Sequence, residues 1–236
     1  MCTVSYINTG GQVIITSNRD ETQLRSKALL PMPYTINGKE VFFPKDSHAG
    51  GTWFAYRKTG QMVVLLNGAK VKHQVKPFYR RSRGLIVLDI ISSDNCINTW
   101  EELDLADIQP FTLVVFNRGE LYELIWDGLQ KSTNKLNALG NYIWSSVTLY
   151  PEIIRQYKKE AFHKFIDKYK KPGAADVIDF HASHKIDDLD VAYIEEYQRD
   201  IITQSISQLS VNPSGKAAVI HLDLVENKKY SCEFTI

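Results

Sequence analysis

Residues 1–21 read MCTVSYINTGGQVIITSNRDE, and the fold turns on this stretch. Cys2 to Asn8 and Gln12 to Ser17 are rich in Val, Ile, Thr and Tyr, which suit a pleated, half-buried surface, and Thr9-Gly10-Gly11 separates them. Glycine accepts the positive φ of a tight turn, so the two runs read as a β-hairpin. With Gly10 and Gly11 as the turn residues, facing positions sum to 21, and Cys2 stands across from Arg19. Directly opposed side chains share a face, with Cβ atoms about 4.5–5.5 Å apart. The hairpin therefore predicts a thiol beside a guanidinium, which favours thiolate over the ordinary cysteine pKa of about 8.5.

Removal of Met1 would free an α-amine at Cys2 with a pKa near about 8, suited to general-base work. One residue would then hold nucleophile and base together. Asp20 is a candidate to orient that amine, although strict alternation points it to the face opposite Arg19. The same residues also suit a blander reading, an edge-strand cysteine and a surface ion pair worth at most about 1 kcal/mol.

A second hairpin is expected from Thr52 to Lys58, a Thr59-Gly60 turn, and Gln61 to Asn67. This register pairs Thr52 with Asn67 beside Gly50-Gly51. An Asn amide at such a strand end is a candidate oxyanion donor, and loss of one such donor costs about 10²–10³ in rate. Asn141, in Leu139-Gly140-Asn141, is a second candidate.

A third hairpin is expected from Phe111 to Phe116 and Glu120 to Trp126, joined by Asn117-Arg118-Gly119. Lys216 to Leu224 and Lys229 to Phe234 read as closing strands. Pro151 to Tyr169 opens on proline and carries apolar residues at helical spacing. Gly84 to Ile91, capped by Ser82, and Ala174 to His181 are shorter helix candidates. Hairpins and helices mixed in this way predict an α+β fold, with helices on the faces of mainly antiparallel sheet.

The bulk numbers fit a single domain over residues 1–236. Hydrophobic residues make up 44% of the chain, and 28 Lys+Arg against 27 Asp+Glu give no global field for nucleic acid. Three cysteines, Cys2, Cys96 and Cys232, without Cys-x-x-Cys spacing, suit a reducing cytoplasm and argue against zinc. No run approaches the ~20 apolar residues that span a bilayer.

Cys2, Asn18-Arg19-Asp20-Glu21, Gly50-Gly51-Thr52-Trp53, Asn67, Arg81-Ser82-Arg83-Gly84 and Leu139-Gly140-Asn141, in this order, resemble the NRDE family, also called the transport and Golgi organisation protein 2 family. The resemblance runs from Met1 to about Pro151. That family is similar to the cysteine branch of the N-terminal nucleophile hydrolases, which includes choloylglycine hydrolases and penicillin V acylases. The resemblance implies a four-layer αββα sandwich and cleavage of a non-peptide amide. It implies catalytic roles for Cys2, Arg19, Asp20, Asn67 and Asn141, and substrate contacts from Thr52, Trp53 and Arg83. In the acylase branch two residues usually separate the arginine and aspartate, whereas Arg19 and Asp20 are adjacent. The family's C-terminal Gly-Thr-Arg-Ser-like strand corresponds to Thr203-Gln204-Ser205-Ile206-Ser207, which has no arginine.

Between Asp46 and Asp89 no acidic residue occurs, while Arg57, Lys58, Lys70, Lys72, Lys76, Arg80, Arg81 and Arg83 all fall there. Such a stretch suits either a solvated loop or recruitment of a carboxylate or the phosphates of an acyl-CoA. His181-Ala182-Ser183-His184 reads as a surface helix end. His48 and His73 are candidate haem ligands. The expectation is a cytoplasmic hydrolase or acyltransferase acting on the carbon–nitrogen bond of a small anionic or acylated amide, with no cofactor or metal. The alternative is a non-catalytic haem or acyl-CoA carrier of the same fold, and a third possibility is an inert scaffold.

Overall fold

The computed structural model describes residues 3–22, 26–183 and 201–236. The opening hairpin forms as its turn dictates: β1 (Thr3–Asn8) and β2 (Val13–Thr22) pair antiparallel from Thr3 opposite Asn18 to Asn8 opposite Val13. Gly10 and Gly11 take φ +79° and +110°, and Asn8 Oδ1 accepts the Gly11 N–H at 2.9 Å.

This hairpin is the seed of a six-stranded sheet. β10 (Tyr142–Ser145) flanks β1. On the other side β2 is followed by β11 (Ile201–Val211), β12 (Lys216–Asp223) and β13 (Lys228–Thr235). A second, seven-stranded sheet runs in chain order through β3 (Ala28–Ile36), β4 (Lys39–Asp46), β5 (Phe54–Arg57), β6 (Gln61–Asn67), β7 (Phe111–Asn117), β8 (Glu120–Trp126) and β9 (Lys131–Leu136). All described pairings are antiparallel.

The third hairpin closes as expected, with Arg118 and Gly119 both at positive φ. The second does not. Phe54 faces Val64 and Arg57 faces Gln61, so facing positions sum to 118 rather than 119. The turn holds three residues, Lys58, Thr59 and Gly60, with Gly60 at φ +83° and its N–H bonded to Arg57 O. A three-residue turn with glycine in the left-handed region is a stable alternative to the two-residue form. The slip of one residue breaks the predicted Thr52–Asn67 pairing, although both residues still reach the same end of the sandwich; on its other edge β6 sets Asn67 opposite Phe111 of β7.

The sheets pack face to face around one apolar cluster containing Val4, Tyr6, Ile15, Leu209 and Val219 from the first and Phe43, Phe54, Val63 and Leu113 from the second. Tyr6 meets Phe116 and Tyr56 meets Phe234 across the gap, at ring separations of 6.1 and 5.7 Å. Burying each such side chain is worth about 1.5–3 kcal/mol. Tyr6 donates its hydroxyl to Ala138 O at 2.7 Å, and burial pushes its pKa up to about 12.

Helices cover both outer faces. α1 (Arg83–Ile91), capped by Ser82 Oγ accepting from Gly84 N, lies on β5 and β6, with α2 (Cys96–Glu102) against it. α3 (Glu152–Tyr169) and α4 (Ala174–Ala182) cover the first sheet, where Ile7 and Ile14 meet Phe162 and Val177. The layering is therefore αββα. Each of these outer-layer helices except α2 was legible as a candidate in the sequence. Among the described residues no helix is long and apolar enough to cross a membrane.

Candidate functional site

β2 carries Asn18, Arg19 and Asp20 on alternating faces, and each face does a different job. Arg19 points between the sheets and is only 3% exposed. Its guanidinium lies 5.0 Å above the Trp53 ring, and its Nη2 is 3.6 Å from Asp46 Oδ2. Asp46 is itself fixed: its Oδ1 accepts the N–H groups of His48 and Ala49, and its backbone bonds Gly50 and Gly51. Sequence reasoning missed Asp46, although an Asp followed by Ser-His-Ala-Gly-Gly is an Asx-turn signal.

Two glycine-bearing segments distant in sequence meet beside Arg19. A Cβ on Gly51 would stand 2.4 Å from Gly84 C, and one on Gly84 would stand 2.9 Å from Thr52 N. Thr52 N donates to Gly84 O at 3.1 Å. The backbones thus touch directly, which only glycine permits, and the N-terminus of α1 is set against the loop before β5. Trp53 is buried, and its Nε1 has no hydrogen-bond acceptor among the described residues. Thr52 is committed to structure: its hydroxyl donates to Pro44 O at 2.7 Å and accepts from Phe54 N at 3.2 Å.

Arg19, Asp46, Trp53, Asn67 and Arg83 line a cavity of about 90 Å³ at this end of the sandwich. Asn67 also borders a wider cleft of about 340 Å³ that runs to Lys70, Glu123, Trp144, Arg155 and Lys159. Its backbone carbonyl accepts from Ser146 Oγ at 2.9 Å, so the end of β6 is tied to the segment after β10. Gly68 at φ +87° completes the junction, because a Cβ there would meet Thr148 Cγ2 at 2.9 Å. Arg83 Nη1 donates to Pro110 O at 3.2 Å.

Asp20 faces the helical layer. Tyr150 donates its hydroxyl to Oδ2 at 2.5 Å and Thr203 to Oδ1 at 2.6 Å. Lys158 Nζ lies 4.6 Å over the Tyr150 ring. Asp20 thus ties the end of β2 to β11 and to the entry of α3, on the face opposite Arg19. β11 accommodates this with a bulge between Thr203 and Ser205.

Asn18 shares the Asp20 face and holds α4. Its Nδ2 donates to His181 O at 3.1 Å, which leaves Oδ1 to accept from His181 Nδ1 at 2.6 Å. His181 Nε2 then pairs with Ser5 Oγ at 2.8 Å. His181 is 3% exposed, so the expected surface helix end is instead a buried latch. The reason is that β1 and β2 present hydrogen-bonding side chains, Ser5 and Asn18, to the helix that covers them. His184 lies outside the described residues.

Beside Arg19 on the same inner face sits His221, 2% exposed, with Nδ1 2.8 Å from Ser207 Oγ. Burial first, and Arg19 in addition, push its pKa down to about 4 against an opposing pull from Asp223. His221 is therefore neutral near pH 7, and on this side Arg19 shares a small pocket with it, Ser205 and Asp223. Ser205, register partner of both Arg19 and Asp223, is buried nearby with its hydroxyl unbonded among the described residues.

Asn141 is not brought to this site. Its Oδ1 accepts Asn8 N at 2.9 Å, at the opposite end of β1. Because β10 pairs with β1 from Tyr142 opposite Tyr6, only the far end of β10 reaches Thr3, and Ser146 rather than Asn141 stands next to Asn67. His48 is exposed in the turn after Asp46, and His73 pairs with Gln109 Nε2 at 3.2 Å; neither lines the Arg19 cavity. No cluster of three metal-ligating side chains occurs among the described residues. Cys2, the expected nucleophile, lies outside the described residues.

A family model described as Transport and Golgi organisation 2 matches residues 1–229, well beyond the expected limit near Pro151. No curated protein matches the chain in sequence. Similar solved structures include the Caenorhabditis elegans N-acylethanolamine-hydrolyzing acid amidase ortholog, with a TM-score of 0.60 and 12% identity over 90% of this chain and 93% of that one. An arginine-to-leucine variant of conjugated bile acid hydrolase from Clostridium perfringens gives 0.54 and 11% over 98% and 92%. Penicillin V acylase from Agrobacterium tumefaciens gives 0.52 and 10% over 99% and 86%. These likenesses establish the N-terminal nucleophile hydrolase fold.

Proposed function

Because the chain belongs to the Transport and Golgi organisation 2 family and shares its fold with amide-cleaving enzymes, we propose that it is a cysteine N-terminal nucleophile hydrolase or acyltransferase. Its substrate is a small molecule with a non-peptide carbon–nitrogen amide bond. One observation carries this reading. The opening hairpin pairs in the register that sums to 21, and Arg19 of that hairpin lies in a cavity between the sheets. In this reading the hairpin continues by one step beyond Thr3 and Asn18, and Cys2 stands opposite Arg19.

In this reading the Cys2 thiolate attacks the amide carbonyl, forming a carbon–sulfur bond. The freed α-amine of Cys2 carries the thiol proton to the leaving nitrogen as the carbon–nitrogen bond breaks. Water, or an acceptor nucleophile, then cleaves the thioester. Arg19 stabilises the thiolate, and Asp46 and the Trp53 face hold the guanidinium in place. The Asn67 amide donates to the developing oxyanion, and the acceptor-free Trp53 Nε1–H is available to a substrate oxygen. Arg83 contacts the substrate at the cavity wall. Asp20 acts as a positioning residue, clamping the strand end that carries Arg19.

The test is mass spectrometry of untagged protein, with and without N-acyl amide substrates. Loss of Met1 and an acyl adduct mapped to Cys2, absent in Cys2→Ala, support the proposal. A retained Met1 with no adduct from any amide overturns it.

A further inference from the structure

Between β6 and α1 the chain runs from Gly68 to Ser82 without regular structure, an unusual length for a connection inside a compact fold. It is nevertheless a shaped loop. Gly68 N bonds Pro110 O, His73 bonds Gln109, Arg80 donates to the carbonyls of Asp104 and Ala106, and Lys76 N donates to the Tyr79 hydroxyl. Tied at these points, the loop still holds three apolar side chains out in solvent: Val71 at 74%, Val75 at 68% and Phe78 at 75% exposure. Internal folding does not explain them, because nothing in the loop or beneath it covers them.

The residues interleaved with this apolar trio are cationic: Lys70, Lys72, Lys76, Arg80 and Arg81 are all exposed, and the loop holds no carboxylate. Three form direct ion pairs, Lys76 with Asp107, Arg80 with Asp104 and Arg81 with Asp89, and Lys70 acts on Asp127 only at longer range, which leaves a net positive surface centred on Lys70 and Lys72. Exposed apolar side chains among cations match the chemistry of an anionic lipid surface, where phosphates meet the cations and acyl chains take the apolar groups.

We propose that the loop from Gly68 to Ser82 docks the protein on anionic membranes, with Val71, Val75 and Phe78 entering the acyl boundary and Lys70 and Lys72 meeting headgroups. The loop is flanked by Asn67, the last residue of β6, and Arg83, the first of α1, both on the wall of the Arg19 cavity. Docking therefore turns that cavity, and the wider cleft bordered by Lys70, toward the lipid. The surface is independent of whether Cys2 is catalytic.

Sedimentation of the full chain with vesicles tests this, comparing phosphatidylcholine alone with phosphatidylcholine containing about 30% phosphatidylserine. Binding is expected only to the anionic vesicles and is expected to weaken with salt. Lys70→Glu/Lys72→Glu should lower partitioning at least about 25-fold, at about fivefold per lost cation. Val71→Ser/Val75→Ser/Phe78→Ser should lower it at least about tenfold while leaving thermal unfolding unchanged. In Phe78→Trp, the indole emission should shift to the blue on anionic vesicles. Equal binding to neutral vesicles, an unshifted indole, or a loop that captures RNA or acidic peptide but no vesicle overturns the proposal.

Discussion

Replacing His221 with Gln should remove a specific part of the protein's acid sensitivity. His221 is buried beside Arg19 with its pKa held down to about 4, against 6.5 for an exposed histidine. Between those values the unfolded chain binds a proton that the folded chain refuses, so stability falls as pH falls. The contribution is complete above about pH 6.5, declines through the window, and is fully lost below about pH 4. The gap between the two values corresponds to about 3 kcal/mol. Gln keeps a hydrogen-bonding partner for Ser207 but does not titrate. Urea unfolding of both proteins at pH 7.5, 6, 5 and 4 separates this effect from the acid response of the remaining side chains. The wild-type free energy should fall more steeply than that of His221→Gln, and the difference should change by about 3 kcal/mol across the range. Parallel curves would show that His221 is either solvated or protonated in the folded state, and the neutral imidazole beside Arg19 would be refuted.

Gly51→Ala should cost about 1–3 kcal/mol, toward the upper end because the new methyl meets backbone rather than a yielding side chain; chemical denaturation reads it. Asn18→Ala strips two buried partners from His181 and should cost about 2–3 kcal/mol, with amide exchange rising first in α4. Asn67→Ala should lower kcat on a cleaved amide about 10²–10³-fold while leaving thermal unfolding nearly unchanged, since the hydrogen bonds at Asn67 use its backbone. Tyr150→Phe removes a hydroxyl that donates to Asp20 and should cost about 1–3 kcal/mol in urea unfolding.

The parts of this fold legible in sequence are those where a local rule overrides everything else. Gly10-Gly11 and Arg118-Gly119 can only turn one way, and the register of each hairpin follows. Lys58-Thr59-Gly60 offered two turns, and the choice between them depends on packing: a Cβ on Gly60 would meet Ile236 Cγ2 at 2.9 Å, a contact no local pattern reveals. β11 is hidden for a different reason. It is a central strand, yet Ser205, Ser207, Gln208 and Ser210 are all buried, with Ser207 bonded to His221 and Gln208 to Thr16. Long-range partners satisfy Ser207 and Gln208, so polar residues sit in the buried positions and no hydrophobic alternation marks the strand. β3 is masked by Pro31 and Pro33, which a sheet accepts only at an edge, where β3 lies.

The candidate site divides along the same line. Arg19 and its face followed from the first turn, and the facing-away of Asp20 followed from alternation. The partners that give those residues meaning, Asp46, Tyr150, Thr203 and His221, come from elements far away in sequence. Asn141 failed because a motif's position along the chain does not say which end of β10 meets the mouth of the sandwich.

The most direct test of the account is the pH profile of alkylation at Cys2 in wild type and Arg19→Gln, with buried Cys96 and partly exposed Cys232 as comparators. A guanidinium beside the thiol predicts a wild-type midpoint below the ordinary value of about 8.5, returning toward it in the variant. Thiolate at neutral pH should fall about tenfold for each pH unit by which the midpoint rises. Identical profiles in the two proteins would contradict the juxtaposition on which the proposed chemistry depends.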